Sequence, residues 1–464
     1  MLDPLPATRL ERPRPDAIRR HPLAGWFAVA TVCFGAFMGQ LDASIVTLAF
    51  PSIQREFQQP LAAVQWVSLA YLITLVGLLP AAGRIADSAG RKLMYLSGFA
   101  IFVAASVACG FAPNLDLLII FRVLQGVGAT LLQSNSVALV VTSVAREKMR
   151  AALGVQSAAQ ALGLAAGPVV GGLLVAALGW RWIFWVTLPV GLIGLVSGWF
   201  LLPRTRERTP LQRFDAGGLT LLLISAAALL LGLSGISGLD LPAGLSVILL
   251  VVGICLGIVF IRWESAAHDP LVHPHLLRPR AVSIGLVGAL CGYLVLFGPL
   301  TLLPQVFGSR GGVGLVLTFL PLGFGVAAVT SPKLLPHRVG PRGRAIGGAA
   351  LAASAIAALA ILGLNIGSEG LVAAGLFAGG LGLGVFIPAN NTTIMSSIPS
   401  RLAATGGGLV NVARSLGTAL GVAVVTLCLH AGGTGGARSA LVSLALIGAV
   451  AIASAVLSGR ERPA

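Results

Sequence analysis

The chain has 464 residues, of which 56% are hydrophobic and only 10% charged, with a formal net charge of +16. So few charges cannot cover a soluble protein of this length, which excludes a soluble globular enzyme and leaves lipid as the main surrounding. The excess of positive charge would point to nucleic acid in a soluble protein. Here it lies between hydrophobic spans, so it reads as membrane topology and no nucleic-acid partner is expected.

Residues 1–24 carry Arg9, Arg12, Arg14, Arg19 and Arg20 among several prolines. They read as a disordered cytoplasmic tail before a first membrane helix, not as a cleaved signal peptide. A bilayer core of about 30 Å needs roughly 20 apolar residues per helix. On that measure helices are expected over 25–50, 62–83, 93–112, 116–141, 151–176 and 180–202, then 215–235 and 241–262. Six more follow over 281–306, 313–332, 344–364, 370–394, 402–429 and 436–458. The fold class is an all-α membrane protein with about 14 transmembrane helices. Its expected organisation is a six-helix half over 25–202, linkers with two extra helices over 203–280, a second six-helix half over 281–458, and a cytoplasmic tail over 459–464. The 60 glycines suit close packing between such helices.

An even helix count puts both termini on one side, and positive charge decides which. Twenty-five of the 31 lysines and arginines fall on the loops shared with the termini. Arg55, Arg181, Arg310 and Arg438 fall on the opposite loops, and Arg122 and Arg414 fall inside helices. Both termini are therefore expected in the cytoplasm, in a multi-pass protein of the inner (plasma) membrane.

The halves repeat weakly. Gly154, Gln160, Leu162, Gly163 and Gly167 recur 254 positions later as Gly408, Arg414, Leu416, Gly417 and Gly421. Phe121, Gly126, Gly128 and Asn135 recur 256 positions later as Phe377, Gly382, Gly384 and Asn391, and Gly90 has a counterpart in Gly340. Internal repeats of this kind are a transporter signature, with the substrate site at the repeat interface.

Asp42 is the only carboxylate expected at membrane depth. Burying a charge in lipid is costly, so it must face a cavity or a partner. Counted from Pro51 and Asn114 as helix ends, Asp42 and Arg122 both lie roughly 12–14 Å below the outer surface, at about 1.5 Å per residue. Equal depth allows an ion pair. Burial disfavours the charged carboxylate and a guanidinium favours it, so the group could load and release protons; alternatively the pair is a static lock between two helices.

Gly83 to Lys92 joins the second and third helices. Its glycines allow a tight turn, and Asp87 can pair with a basic residue or a helix N-terminus in one conformation only; otherwise it is an ordinary basic loop. Gly163, Gly167, Pro168, Gly171 and Gly172 bring close packing and a bend to the fifth helix, or close packing alone. Arg414 lies deep in the thirteenth helix, with no acidic residue in the last six expected helices. Water, substrate, carbonyls or Asn411 must solvate it, and it either serves the cavity or holds structure. Gln133, Asn135, Asn390 and Asn391 could line the same cavity or tie helices together.

The five cysteines stand singly and suggest no metal or disulfide framework. His268, His273 and His275 cluster in the second linker, but prolines interrupt them and no metal is expected. The absence of a GxxxxGK[ST] stretch leaves an ion gradient as the energy source, and a single carboxylate suits a proton better than sodium.

Four segments resemble the fourteen-helix drug–proton antiporters of the major facilitator superfamily. They are Leu41 to Pro51, Gly83 to Lys92, Arg122 to Ala129 with Gln125, Gly126 and Gly128, and Gly163 to Gly172. The resemblance departs at Thr47, where an asparagine is usual, and at His337, where the first half has Asp87. It implies a major facilitator fold and alternating access. It implies proton coupling at Asp42 and Arg122, a cytoplasmic gate of Gly83, Asp87, Gly90, Arg91 and Lys92, and an antiporter motif of Gly163, Gly167, Pro168, Gly171 and Gly172. The implied activity is proton-driven export of a small hydrophobic substrate, without a cofactor, by a protein acting as a monomer in lipid. A metabolite facilitator or importer, and a non-transporting membrane sensor, are the alternatives.

Overall fold

The computed structural model describes residues 11–205, 215–267, 270, 274–307, 313–334, 339–362, 369–398 and 403–458, with no strand among them. Among the described residues, fourteen helices are long and apolar enough to cross a membrane. In chain order they are α1 (Ala24–Phe57), α2 (Leu61–Ala89), α3 (Arg91–Gly110), α4 (Leu115–Ser143), α5 (Met149–Ala177) and α6 (Trp182–Leu201), then α7 (Ala216–Ile236) and α8 (Ala243–Ala266). The last six are α9 (Arg280–Phe307), α10 (Val313–Leu334), α11 (Pro341–Leu362), α12 (Glu369–Ser396), α13 (Ala403–Ala431) and α14 (Gly436–Leu457). The end of the bundle shared by the start of α1 and the end of α14 is called the terminal face, and the other the far face.

Local chemistry sets the boundaries. Pro51 has no N–H to donate, so the chain tightens into a 3-10 turn over Val46–Ala49 and re-enters an α-helix with the proline in its first turn. The first span therefore does not end at residue 50, as its sequence suggested, but at Phe57, where Gln58 turns left-handed. Asn114 caps α4 by accepting from the Leu117 amide at 2.9 Å, and Asp215 caps α7 through the Gly218 amide at 2.8 Å. Gly90, at φ +112°, makes the corner between α2 and α3. Gly83 is not part of that turn, because α2 runs on to Ala89.

In the first half α1 packs on α4, α5 and α6, α2 on α4, and α3 on α4 and α6; in the second, α9 packs on α12, α13 and α14, α10 on α12, and α11 on α12 and α14. A methyl group at Gly163 of α5 would press on the Phe37 carbonyl of α1, and one at Gly417 of α13 on the Leu290 carbonyl of α9. One at Gly128 would meet Gly98 and Phe102, and one at Gly382 would meet Gly348 and Ala352. Gly128 thus corresponds to Gly382, not to Gly384. The α4–α12 repeat has the same offset as the α5–α13 repeat, and the expected offset was two residues too long.

The halves touch through α5 with α10 and α2 with α13. Gly172 and Gly314 bring α5 and α10 together at the far face, where a Cβ on Gly172 would lie 3.0 Å from the Gly314 Cα. Leu48 and Leu164 pack into the second half's core, and Ala419, Val422 and Ala423 into the first half's. Toward the terminal face this exchange stops. The cluster of Leu276, Val282, Ile394, Ile398 and Leu409 joins the second half to the linker before it and includes no residue of the first half. Packing between the two halves is therefore concentrated toward the far face.

The inserted α7 lies against α2 and α13, with α8 behind it. The Ser234 hydroxyl accepts from the Gln65 amide at 3.0 Å and from the Trp66 indole N–H at 3.2 Å, which ties α7 to the first half.

Candidate functional site

Asp42 of α1 and Arg122 of α4 form an ion pair inside the first half. Their side chains are 0% and 1% exposed, and Arg122 Nη1 lies 3.0 and 2.8 Å from the two carboxylate oxygens. A guanidinium cannot shed its proton, so a buried one must be fully partnered. Arg122 Nε donates to the Val67 carbonyl at 2.7 Å, Nη1 also donates to Gln125 Oε1, and the Tyr71 ring stacks with its centroid 4.2 Å from the guanidinium carbon. Gln125, one turn along the same helix face, donates to Asp42 at 3.1 Å and to Ser106 at 2.6 Å, and Thr187 of α6 donates to Ser106 at 3.1 Å. Four helices of the first half thereby converge on one carboxylate.

Two small cavities lie between this network and the second half. The larger, about 20 Å³, is lined by Gly39, Gln40, Tyr71, Gln133, Phe297 and Arg414 among others. The smaller, about 10 Å³, is lined by Thr47, Ser68, Tyr71, Arg122, Phe297 and Val422 among others. The larger has room for about one water, whereas drug-sized ligands occupy some 300–1,000 Å³, so substrate binding requires the halves to move. Arg414 of α13 crosses the larger cavity and donates to Gln133 Oε1 of α4. Tyr71 borders both cavities and is within electrostatic reach of Asp42, Arg122 and Arg414.

The glycines of α5 form the opposite wall of α1. Added methyl groups at Gly163, Gly167 and Gly171 would press on Phe37, on Ser44 and on Ile45 respectively, so these glycines at four-residue spacing make the groove that receives α1 beside Asp42. Pro168 contributes its carbonyl to the approach of Gly314, and Gly172 faces Gly314 itself.

A sequence model of the Major Facilitator Superfamily matches residues 32–422. The chain belongs to that superfamily. The tetracenomycin C resistance and export protein of Streptomyces glaucescens is 29% identical over 426 residues, covering 89% of this chain and 78% of that protein. The multidrug resistance protein B homolog of Mycobacterium tuberculosis (strain H37Rv) is 33% identical over 309 residues, covering 65% of this chain and 57% of that protein. Among solved structures, a POT family transporter in complex with a thioalcohol conjugated peptide has a TM-score of 0.70 at 16% identity, covering 95% of this chain and 98% of that one. At that identity the likeness is one of fold. The chain is a multi-pass superfamily transporter, not an enzyme.

In this superfamily member the α2–α3 corner is held from both sides. Asp87 pairs with Arg91 at 2.8 Å, half-exposed. Lys92 is fully buried, and its ammonium donates to the carbonyls of Arg12, Trp199 and Leu202 at 2.9, 2.9 and 3.0 Å. Glu11 accepts from the Leu93 amide at 3.1 Å and from the Thr205 amide and hydroxyl at 2.7 and 3.0 Å. Glu11 and Arg12, in the stretch expected as a disordered tail, are instead docked on this corner, because the buried Lys92 and the bare N-terminus of α3 both require partners. Burial lowers the pKa of Arg14, whose Nε donates to the Leu201 carbonyl at 2.5 Å.

Of the expected cavity residues, Gln133 and Arg414 meet at the cavity. Asn135 instead bonds within α4, to the Leu131 carbonyl at 2.8 Å and Ser134 at 3.2 Å. Asn390 ties α12 to α9 through the Gly285 carbonyl at 2.8 Å. Asn391 and Asn411 line neither cavity. No metal-holding cluster occurs among the described residues; His268, His273 and His337 lie outside them. Sequence reading did not single out Tyr71 or Ser106. A tyrosine within an apolar run was the available signal, since the chain has only three.

Proposed function

We propose that this transporter is a proton-coupled antiporter that exports hydrophobic drugs, antibiotics or related small molecules by alternating access. The observation that carries the reading is the Asp42–Arg122 pair, fully buried yet reaching the seam between the halves through Arg122 and Tyr71. The excess of basic residues on the terminal face supports its assignment to the cytoplasm, so that both termini are cytoplasmic in the cell membrane. The packed far face then lies outside, and both oxygens of Asp42 accept from Arg122.

In the cycle, the two six-helix halves close over substrate taken from the cytoplasm and reopen outward. A proton arriving from outside neutralises Asp42, frees Arg122 from its counter-ion and favours return. Substrate and proton drive transport because each binds the two states differently. The Asp87–Arg91 corner belongs to the cytoplasmic gate, and the α5 glycines seal the outer seam. No cofactor is required, and one chain suffices. Support for export comes from relatives named for resistance and export.

The test is resistance in an exporter-deficient bacterial host challenged with chemically varied hydrophobic antibiotics. Cells expressing Asp42→Asn should fall to the level of empty vector at equal membrane abundance. Undiminished resistance with that variant would refute the proton-coupling role.

A further inference from the structure

The charge at the seam is opposite to what a cation exporter needs. Asp42 is neutralised locally by Arg122, which leaves Arg414 as the unbalanced charge at the larger cavity. Among the described residues of α9 to α14 the only acid is Glu369, exposed at the far-face start of α12. Among the described residues, Arg414 is held by a neutral oxygen, that of Gln133. Beside it stands a second unmet group. Tyr71 is 1% exposed, borders the same cavity, and its hydroxyl has no hydrogen-bond partner. A buried hydroxyl without a partner is costly, and a charge-assisted acceptor would satisfy both it and the guanidinium. The remaining walls combine the apolar Leu72, Leu75 and Phe297 with the uncharged polar Gln40, Ser415 and Thr418, so no acid meets Arg414 there.

We propose that the transported compound is an organic anion, an apolar frame bearing one ionised acidic oxygen group such as a carboxylate or acidic phenol, and that Arg414 with Tyr71 receives this group. This rests on the export reading and names its substrate class. In the state described, Gln133 of α4 occupies the guanidinium of α13 and so ties the two halves across the cavity. The anion replaces the Gln133 oxygen on Arg414, which removes the tie and makes substrate entry a condition for the halves to move. Tyr71, stacked on Arg122 and bordering the substrate seat, then connects occupancy to the proton site.

The experiment uses the full-length purified chain in detergent and two dyes of one xanthene frame, anionic fluorescein and cationic rhodamine 6G, with affinity read by fluorescence anisotropy. Fluorescein should bind about tenfold or more tighter than rhodamine 6G, the worth of one charge-assisted hydrogen bond. Arg414→Gln should erase that preference by weakening fluorescein alone, Arg414→Lys should keep part of it, and Tyr71→Phe should weaken fluorescein by a few-fold. If Arg414→Gln does not fold, the lysine and phenylalanine variants carry the test. Equal or tighter binding of rhodamine 6G, or fluorescein binding indifferent to all three substitutions, overturns the proposal. Gradient-driven uptake of rhodamine 6G into everted vesicles, lost in Asp42→Asn, would overturn the anion assignment and leave the export reading standing. Fluorescein preference without any gradient-driven uptake would do the reverse.

Discussion

The two halves of the bundle share a backbone plan and differ in where they carry charge. With the register fixed by the matching glycine contacts, Asp42, Arg122 and Gln125 correspond to Val295, Leu376 and Gly379. Val295 and Leu376 are fully buried and belong to the second half's core. The same packing position is thus filled by an ion pair in one half and by plain aliphatic contact in the other. The fold does not need the charges, since apolar residues of suitable volume do the structural work at least as well. Among the described residues at membrane depth in the second half, the cation is the part-buried Arg414, matched in the first by neutral Gln160. It reaches across the seam, whereas every hydrogen bond of Arg122 lies within its own half.

Removing Asp42 alone is expected to have the largest effect on stability. Asp42→Leu strands a guanidinium that cannot lose its proton, and should destabilise the protein by about 3–5 kcal/mol. Arg122→Leu should cost less, because the carboxylate left behind can take up a proton. The pair Asp42→Val with Arg122→Leu, which copies the second half, should recover much of the loss. Thermal unfolding in detergent distinguishes these; a double variant less stable than Asp42→Leu would show that the halves are not equivalent in packing.

Next come the glycines that carry the shared plan. Gly163→Ala and Gly417→Ala should each cost about 1–3 kcal/mol, because each presses on a helix carbonyl rather than on a movable side chain. Gly154→Ala, on the open side of α5, should stay within about 0.5 kcal/mol. A similar loss at all three positions would contradict the contrast between glycines packed against a helix and one in open space.

Most of the architecture was legible in the sequence, for a simple reason. Lipid forbids unpaired backbone, so each apolar run of sufficient length becomes a helix, and all fourteen spans could be placed from hydropathy. The Asp42–Arg122 pairing was also within reach, since a charge at membrane depth admits few partners. What could not be read were contacts fixed by side-chain direction. The α4–α12 register was off by two because Gly126, Gly128, Gly382 and Gly384 alternate and match at either spacing. Asn135 and Asn390 were indistinguishable from cavity residues until their amides were seen on carbonyls. Lys92, expected either in the cytoplasmic gate or as an ordinary basic loop residue, gave no sign of the buried stem and the three carbonyls that hold its ammonium.

Smaller effects are expected at the attachments. Glu11→Gln should weaken the hold of the N-terminal segment on the α2–α3 corner by about 1–2 kcal/mol, seen as faster proteolytic clipping near residue 12. Ser234→Ala should loosen α7 from α2 by only about 0.6–1 kcal/mol, a slight fall in unfolding temperature with transport retained.

Proton movement tied to substrate flow separates an antiporter from every alternative. Proteoliposomes containing the chain, trapped pyranine and a compound taken from the resistance screen would be diluted into compound-free buffer. Outward flow of the compound should acidify the lumen, and Asp42→Asn should abolish the pyranine signal. Compound leaving with no change in lumenal pH, or with alkalinisation, would contradict coupling through the buried carboxylate.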